Sequence, residues 1–128
     1  MIEHNLTFTA NCVRCKIDGD QLFSTSSIYF GEGDPEQEGH TWIFYRKTDD
    51  DWGVWIVPET QQHGLHDSTK ECILSRSRLE CLFNERGTTE RGINTLTILY
   101  DISDESWRGL AHTAQRVFGA FTYFKLIN

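Results

Sequence analysis

Ile93-Asn94-Thr95-Leu96-Thr97-Ile98-Leu99-Tyr100 runs directly into Asp101-Ile102-Ser103-Asp104-Glu105-Ser106 and then into Trp107–Phe121, and this junction decides the fold. In the first part Leu96, Ile98 and Tyr100 alternate with Thr95 and Thr97, the two-residue period of a half-buried strand. In the last part Trp107, Leu110, Ala111, Ala114, Val117, Phe118 and Phe121 recur at steps of three and four, which is one apolar stripe on a helix. No other part of the chain shows such a stripe. Ser103 or Asp101 can cap the helix, and Asp104 and Glu105 put negative charge in its first turn, where the helix dipole favours it. Arg116 and Gly119 fit a helix stop. One helix with one apolar face, arriving after a series of strands, predicts a sheet with a single covering helix.

Upstream the chain reads as strands and turns. Leu6 to Ile17 starts with Leu6 and Phe8 alternating against Thr7 and Thr9, bends at Ala10-Asn11, and resumes at Cys12. Asp18-Gly19-Asp20 is a hairpin turn, because Asp-Gly readily takes the positive φ that a tight turn demands. Gln21 to Phe30 is the return strand, and Gly31 to Gly39 is an acidic loop containing Glu32, Asp34, Glu36 and Glu38. His40 to Arg46 is a bulky, central strand. Lys47 to Asp51 is a turn holding Asp49, Asp50 and Asp51, and Trp52 to Val57 is an apolar strand stopped by Pro58. Glu59 to Ser68 is a long polar loop. Thr69–Leu74 and Arg78–Phe83 are strands joined by Ser75-Arg76-Ser77, and Asn84 to Gly92 reads as a charged hairpin loop. Phe121 to Leu126 reads as a short extra strand or an extension packed on the sheet. The expectation is an α+β fold: a mostly antiparallel β-sheet of six to eight strands, with one C-terminal amphipathic helix packed on it, in a single domain over residues 1–128.

Nineteen acidic against twelve basic residues give a formal charge of −7. Phosphate backbones repel such a chain, which argues against nonspecific nucleic-acid binding, while a basic protein would be steered toward it. Simple solubility is the plain alternative. No apolar run approaches the ~20 residues that span a bilayer. The Met1-Ile2-Glu3-His4-Asn5 start lacks the basic end and apolar block of a secretory leader. A cytoplasmic protein is expected, with Cys12, Cys15, Cys72 and Cys81 reduced as core or surface thiols.

Cys12-Val13-Arg14-Cys15 has CxxC spacing but lies in a strand-like run, not at a helix N-terminus that would stabilise a thiolate. His63-Gly64-Leu65-His66 would have to complete a zinc site from a distant loop. His63, His66 and Asp67 as acid/base groups would need further carboxylates around a pocket. Ser75 and Ser77 read as turn residues, not nucleophiles. No catalytic, cofactor or metal residue is therefore assigned, and an enzyme is not expected.

Taken in order, several segments resemble the immunity protein 10 family of bacterial polymorphic toxin systems. Phe8-Thr9-Ala10-Asn11 resembles that family's first strand. An acidic loop leading to Trp42-Ile43-Phe44-Tyr45-Arg46 resembles its bulky strand ending in a basic residue. Asp49-Asp50-Asp51-Trp52-Gly53-Val54 is a similar turn and strand, and Leu74-Ser75-Arg76-Ser77-Arg78-Leu79 is similar to its paired strands. The final strand, acidic cap and helix ending near Phe118 complete the layout. The chain departs from the family at Cys12–Cys15 and at His63-Gly64-Leu65-His66-Asp67, where a Gly-Gly-Ile element is expected. The resemblance implies a cytosolic immunity protein that binds and neutralises a cognate, basic toxin by protein–protein interaction, with no nucleic acid, membrane or cofactor involved. Its expected contact residues are Asp49, Asp50, Asp51, Trp52 and Trp55, extended by Glu36 and Glu38. The plainer alternative is a solvated turn followed by a core Trp. The competing function is a small enzyme or a ligand- or metal-binding domain that uses the Glu59–Ser68 loop.

Overall fold

The structure is a computed structural model that describes residues 4–19, 24–32, 40–47, 53–58 and 65–127. Among these residues the elements are β1 Asn5–Thr9, β2 Cys12–Gly19, β3 Ser24–Gly31, β4 Thr41–Lys47, β5 Trp55–Pro58, β6 Leu65–His66, β7 Thr69–Leu74, β8 Arg78–Phe83, α1 Glu85–Arg91, β9 Thr95–Leu99, α2 Asp104–Phe118 and β10 Phe124–Leu126. The fold is α+β. The strand-to-helix junction lies where the alternation stops, and Ser103 is the cap, its hydroxyl accepting from the Ser106 N–H at 3.1 Å. That bond satisfies a donor the first turn would otherwise leave open. Leu110, Ala114, Val117 and Phe118 are buried, and Trp107 and Phe121 pack half-buried beside them.

Three features differ from the expected single sheet with a single helix. First, the strands form two five-stranded sheets, ordered β1-β9-β8-β7-β10 and β2-β3-β4-β5-β6, so the described residues hold ten strands and not six to eight. The chain leaves the first sheet at the Ala10-Asn11 bend and returns to it at Asp67-Ser68, between β6 and β7. The Ala10 N–H reaches Leu99 in the first sheet at 2.7 Å, and the Asn11 N–H reaches Gly31 in the second at 2.9 Å. Consecutive peptide groups thus bond to different sheets. Second, six of the eight pairings are antiparallel, but β1 joins β9 and β10 joins β7 in parallel.

The third difference is α1, which occupies the segment that reads as a hairpin loop. Asn84 caps it by accepting from the Gly87 N–H at 2.8 Å, and Gly92 ends it at φ 76°. The segment has no apolar stripe, so tertiary bonds hold it instead. The Asn84 N–H donates to the Ser68 carbonyl at 2.9 Å, and the Asn84 amide donates to the Asp67 carbonyl at 2.9 Å. Arg86 donates to the His66 carbonyl at 2.9 Å. Gly87 lets the helix approach so closely that a Cβ there would stand 2.5 Å from the Ser68 oxygen.

The two sheets share one core. Phe30 stacks on Tyr100 at 5.8 Å and Trp42 on Phe83 at 6.1 Å, which joins the second sheet to the first. α2 covers the rest of the second sheet's inner face, with Phe118 against Phe44 at 5.8 Å. Its Arg116 donates to the buried hydroxyls of Ser26 and Ser24, at 3.1 Å each. Arg76, in the connector between β7 and β8, pairs with Asp104 and so ties the start of α2 to the first sheet.

Candidate functional site

The second sheet turns Ile28, Phe30, Trp42, Phe44 and Ile56 inward, each at most 2% exposed. Side chains alternate along a strand, so the residues between them point to the opposite face. Register then assembles them into rows. Lys16, Ser27, Tyr45, Trp55 and His66 form one row, with one residue from each of the five strands. Arg14, Tyr29, Ile43 and Val57 form the next, and Asp18, Thr25 and Lys47 a third.

The middle of this outer face is aromatic. Tyr45 and Trp55 lie parallel with their ring centres 6.3 Å apart, and His66 meets Trp55 edge-on at 4.6 Å. The Tyr29 ring lies over Gly31, where a Cβ would stand 2.6 Å from the phenol oxygen. Tyr29, Ile43, Tyr45, Trp55, Val57 and His66 are all half-buried. Side chains that lean on one another in this way restrict each other's rotamers. Arg14, Lys16 and Lys47 sit at the margin on the described part of the face, together with Asp18, which pairs with Lys16 at 3.3 Å.

Of the expected contact residues, Trp55 belongs to this face. Asp49, Asp50, Asp51, Trp52, Glu36 and Glu38 lie outside the described residues. Tyr29, Ile43, Tyr45 and Val57 join the face without having been singled out from the sequence. The signal was the alternation in Trp42-Ile43-Phe44-Tyr45, but both of its phases are apolar, so period alone did not say which points out.

The other chemical candidates fall apart or become structural. Cys12 and Cys15 lie on β2 three residues apart, so they project to opposite faces of the strand. His66 is on β6 at the far edge of the same sheet, four strand spacings or roughly 19 Å away. His63 lies outside the described residues. Among the described residues no three His, Cys, Asp or Glu side chains are grouped to hold a metal ion. Asp67 takes a positive φ of 50° in the turn whose carbonyls dock α1, and Ser68 is buried there. Ser75 closes the β7–β8 connector by donating to the Arg78 carbonyl, and its own carbonyl accepts from the Tyr100 hydroxyl at 2.5 Å.

The first sheet's outer face is different in kind. Thr7, Thr97, Glu80, Ile73 and Lys125 form its middle row. A shallow depression of about 330 Å³ there is lined by Glu71, Ile73, Glu80, Leu82, Thr95 and Thr97. Among the described residues no helix is long and apolar enough to cross a membrane. No family model, no curated protein and no solved structure matches this chain.

Proposed function

We propose that this chain is an immunity protein of a bacterial polymorphic toxin system, acting in the cytoplasm by binding its cognate toxin without catalysis. In this reading the docking surface is the outer face of the second sheet, with Trp55 as its anchor. The observation that supports it is the Tyr45–Trp55–His66 row, a set of half-buried rings on a rigid sheet with Tyr29, Ile43 and Val57 beside it. Trp, Tyr and Arg carry a disproportionate share of the energy of protein interfaces, because they bury large area at little conformational cost. Asp49, Asp50 and Asp51 stand in sequence between β4 and β5, the two strands that carry Tyr45 and Trp55. With Glu36 and Glu38 they supply the charge that steers a basic toxin, while the aromatic row sets how slowly it leaves.

The test is co-expression with the toxin domain encoded beside this reading frame. Growth rescue and a complex that co-purifies are expected, and Trp55→Ala should weaken that complex at least ten-fold. A chain that neither rescues growth nor binds the neighbouring toxin would remove the proposal. Rescue that survives Trp55→Ala and Tyr45→Ala unchanged would keep the function and move the interface elsewhere.

A further inference from the structure

Cys72 and Cys81 face each other directly across the antiparallel β7–β8 pair. Such a ladder has two kinds of facing site, and the kind without mutual backbone bonds brings the two Cα atoms to about 4.5 Å. The Cys72 N–H points away from β8, to the Tyr123 carbonyl at 3.0 Å. The Phe83 N–H points away from β7, to the Asn94 carbonyl at 2.9 Å, and Cys81, two residues earlier, shares its orientation. The pair therefore occupies the close site, at a spacing that a disulfide spans without backbone movement. The two Sγ atoms already stand 3.5 Å apart, on side chains that are 0% and 2% exposed.

We infer that Cys72 and Cys81 are an intrachain disulfide site, a thiol pair in reducing surroundings and a cross-strand link between two strands of the first sheet in oxidising ones. A low-molecular-weight disulfide, RSSR, is the oxidant. One cysteine thiolate attacks a sulfur of RSSR, forming a mixed disulfide and releasing RS⁻. The second thiolate then attacks the cysteine sulfur of that mixed disulfide and releases the second RS⁻. In sum two Cys–SH and RSSR become one protein disulfide and two RSH, so both electrons and both protons leave with the reagent. Burial pushes the Cys72 thiol well up, which makes the closed sheet unreactive. The exchange accordingly belongs to the stage when the β7–β8 hairpin has formed but its inner face is still open. It also belongs to moments when β10, a three-residue strand at the sheet edge, has parted from β7.

The test uses the full chain with C12S and C15S, two positions on β2 outside the buried core, so that only the inferred pair can link. The unfolded chain is refolded in mixed reduced and oxidised glutathione, quenched with an alkylating reagent, weighed and peptide-mapped. The expected product has native circular dichroism, carries no alkyl group, is two hydrogen masses lighter, and maps to a Cys72–Cys81 link. The link should form about 10- to 100-fold more favourably in the folded chain than in denaturant, as expected for a short closed loop without strain. Further replacement by C81S should leave one alkylatable thiol and abolish the mass loss. A natively refolded chain with both thiols alkylatable, a link that forms no better than in denaturant, or a linked chain without the native spectrum would each overturn the inference.

Discussion

The outer faces of the two sheets are built on the same alternating backbone and present opposite chemistry. The first sheet shows Thr7, Thr95 and Thr97 with Glu71, Glu80 and Lys125, the aliphatic Ile73, Leu82 and Leu99 scattered among them, and Arg78 pairs with Glu80 along the same strand at 3.2 Å. Threonine holds strand geometry without offering a large apolar surface, and exposed ion pairs of this sort contribute little to stability. The second sheet shows Tyr29, Ile43, Tyr45, Trp55 and Val57. Both sheets bury their inner residues, so the contrast lies in the outer faces alone: half-buried rings leaning on one another on the second sheet, threonine, charge and scattered aliphatic side chains on the first.

Trp42 and Trp55 lie on neighbouring strands but point to opposite faces, and their removal should have the most unequal effects. Trp42→Ala empties a site that is 2% exposed and should cost about 3–5 kcal/mol in urea unfolding. Trp55→Ala should cost less, under about 2 kcal/mol, with the ring contacts to Tyr45 and His66 among what is lost. Equal losses would mean that Trp55 is a core residue and the aromatic face is structural.

Gly87→Ala comes next. It forces a methyl against the Ser68 carbonyl and should destabilise by about 1–3 kcal/mol, read as a lower urea midpoint. Asn84→Ala removes a cap and a bond to Asp67 together and should lose about 1–2 kcal/mol. If either variant matches the parent, α1 is not fastened to the β6–β7 turn by these contacts.

Alkaline titration probes the inner side. Burial, first of all, pushes the phenols of Tyr100 and Tyr123 well above their ordinary value. The folded chain then holds protons that the unfolded chain has released. This stabilisation is complete below the ordinary phenol range near ~10 and is lost as pH rises beyond it. Arg91, held down to about 10 by burial of its guanidinium, acts in the opposite sense. Two phenols against one guanidinium leave a net loss, so the thermal midpoint should fall steadily above pH ~10. A midpoint unchanged there would show that the phenols are in contact with water.

The smallest effect is expected on the first sheet. Thr97→Ala should change stability by no more than about 0.5 kcal/mol and, in the proposed toxin complex, leave the affinity at the parent level. A loss of binding comparable to that of Trp55→Ala would place the interface on the wrong sheet. Replacing Asp49, Asp50 and Asp51 together with Ser separates steering from anchoring, because only the on-rate and its salt dependence should fall.

By itself the sequence determined the elements whose own side chains repeat with a clear period. The Thr69–Leu74 and Arg78–Phe83 strands have the bounds read from their pattern, and α2 has its stripe buried from Leu110 to Phe118, with Ser103 as the cap out of the two candidates Ser103 and Asp101. Local alternation and local capping are enough there, since each residue's environment follows from its near neighbours. Tertiary structure decided what depends on distant partners. The crossings between the two sheets at Ala10-Asn11 and Asp67-Ser68 and the parallel pairings of β1 and β10 arise from bonds to strands far along the chain, on which period is silent. The helix at Glu85–Arg91 forms because the Asp67–Ser68 carbonyls receive its cap, although Gly87, Thr88 and Thr89 are poor helix formers. The outward position of Trp55 was likewise beyond the pattern, because Trp55, Ile56 and Val57 are all apolar. Pairing with Tyr45 on β4, opposite the inward phase of Phe44 and Ile56, put Trp55 on the outer face.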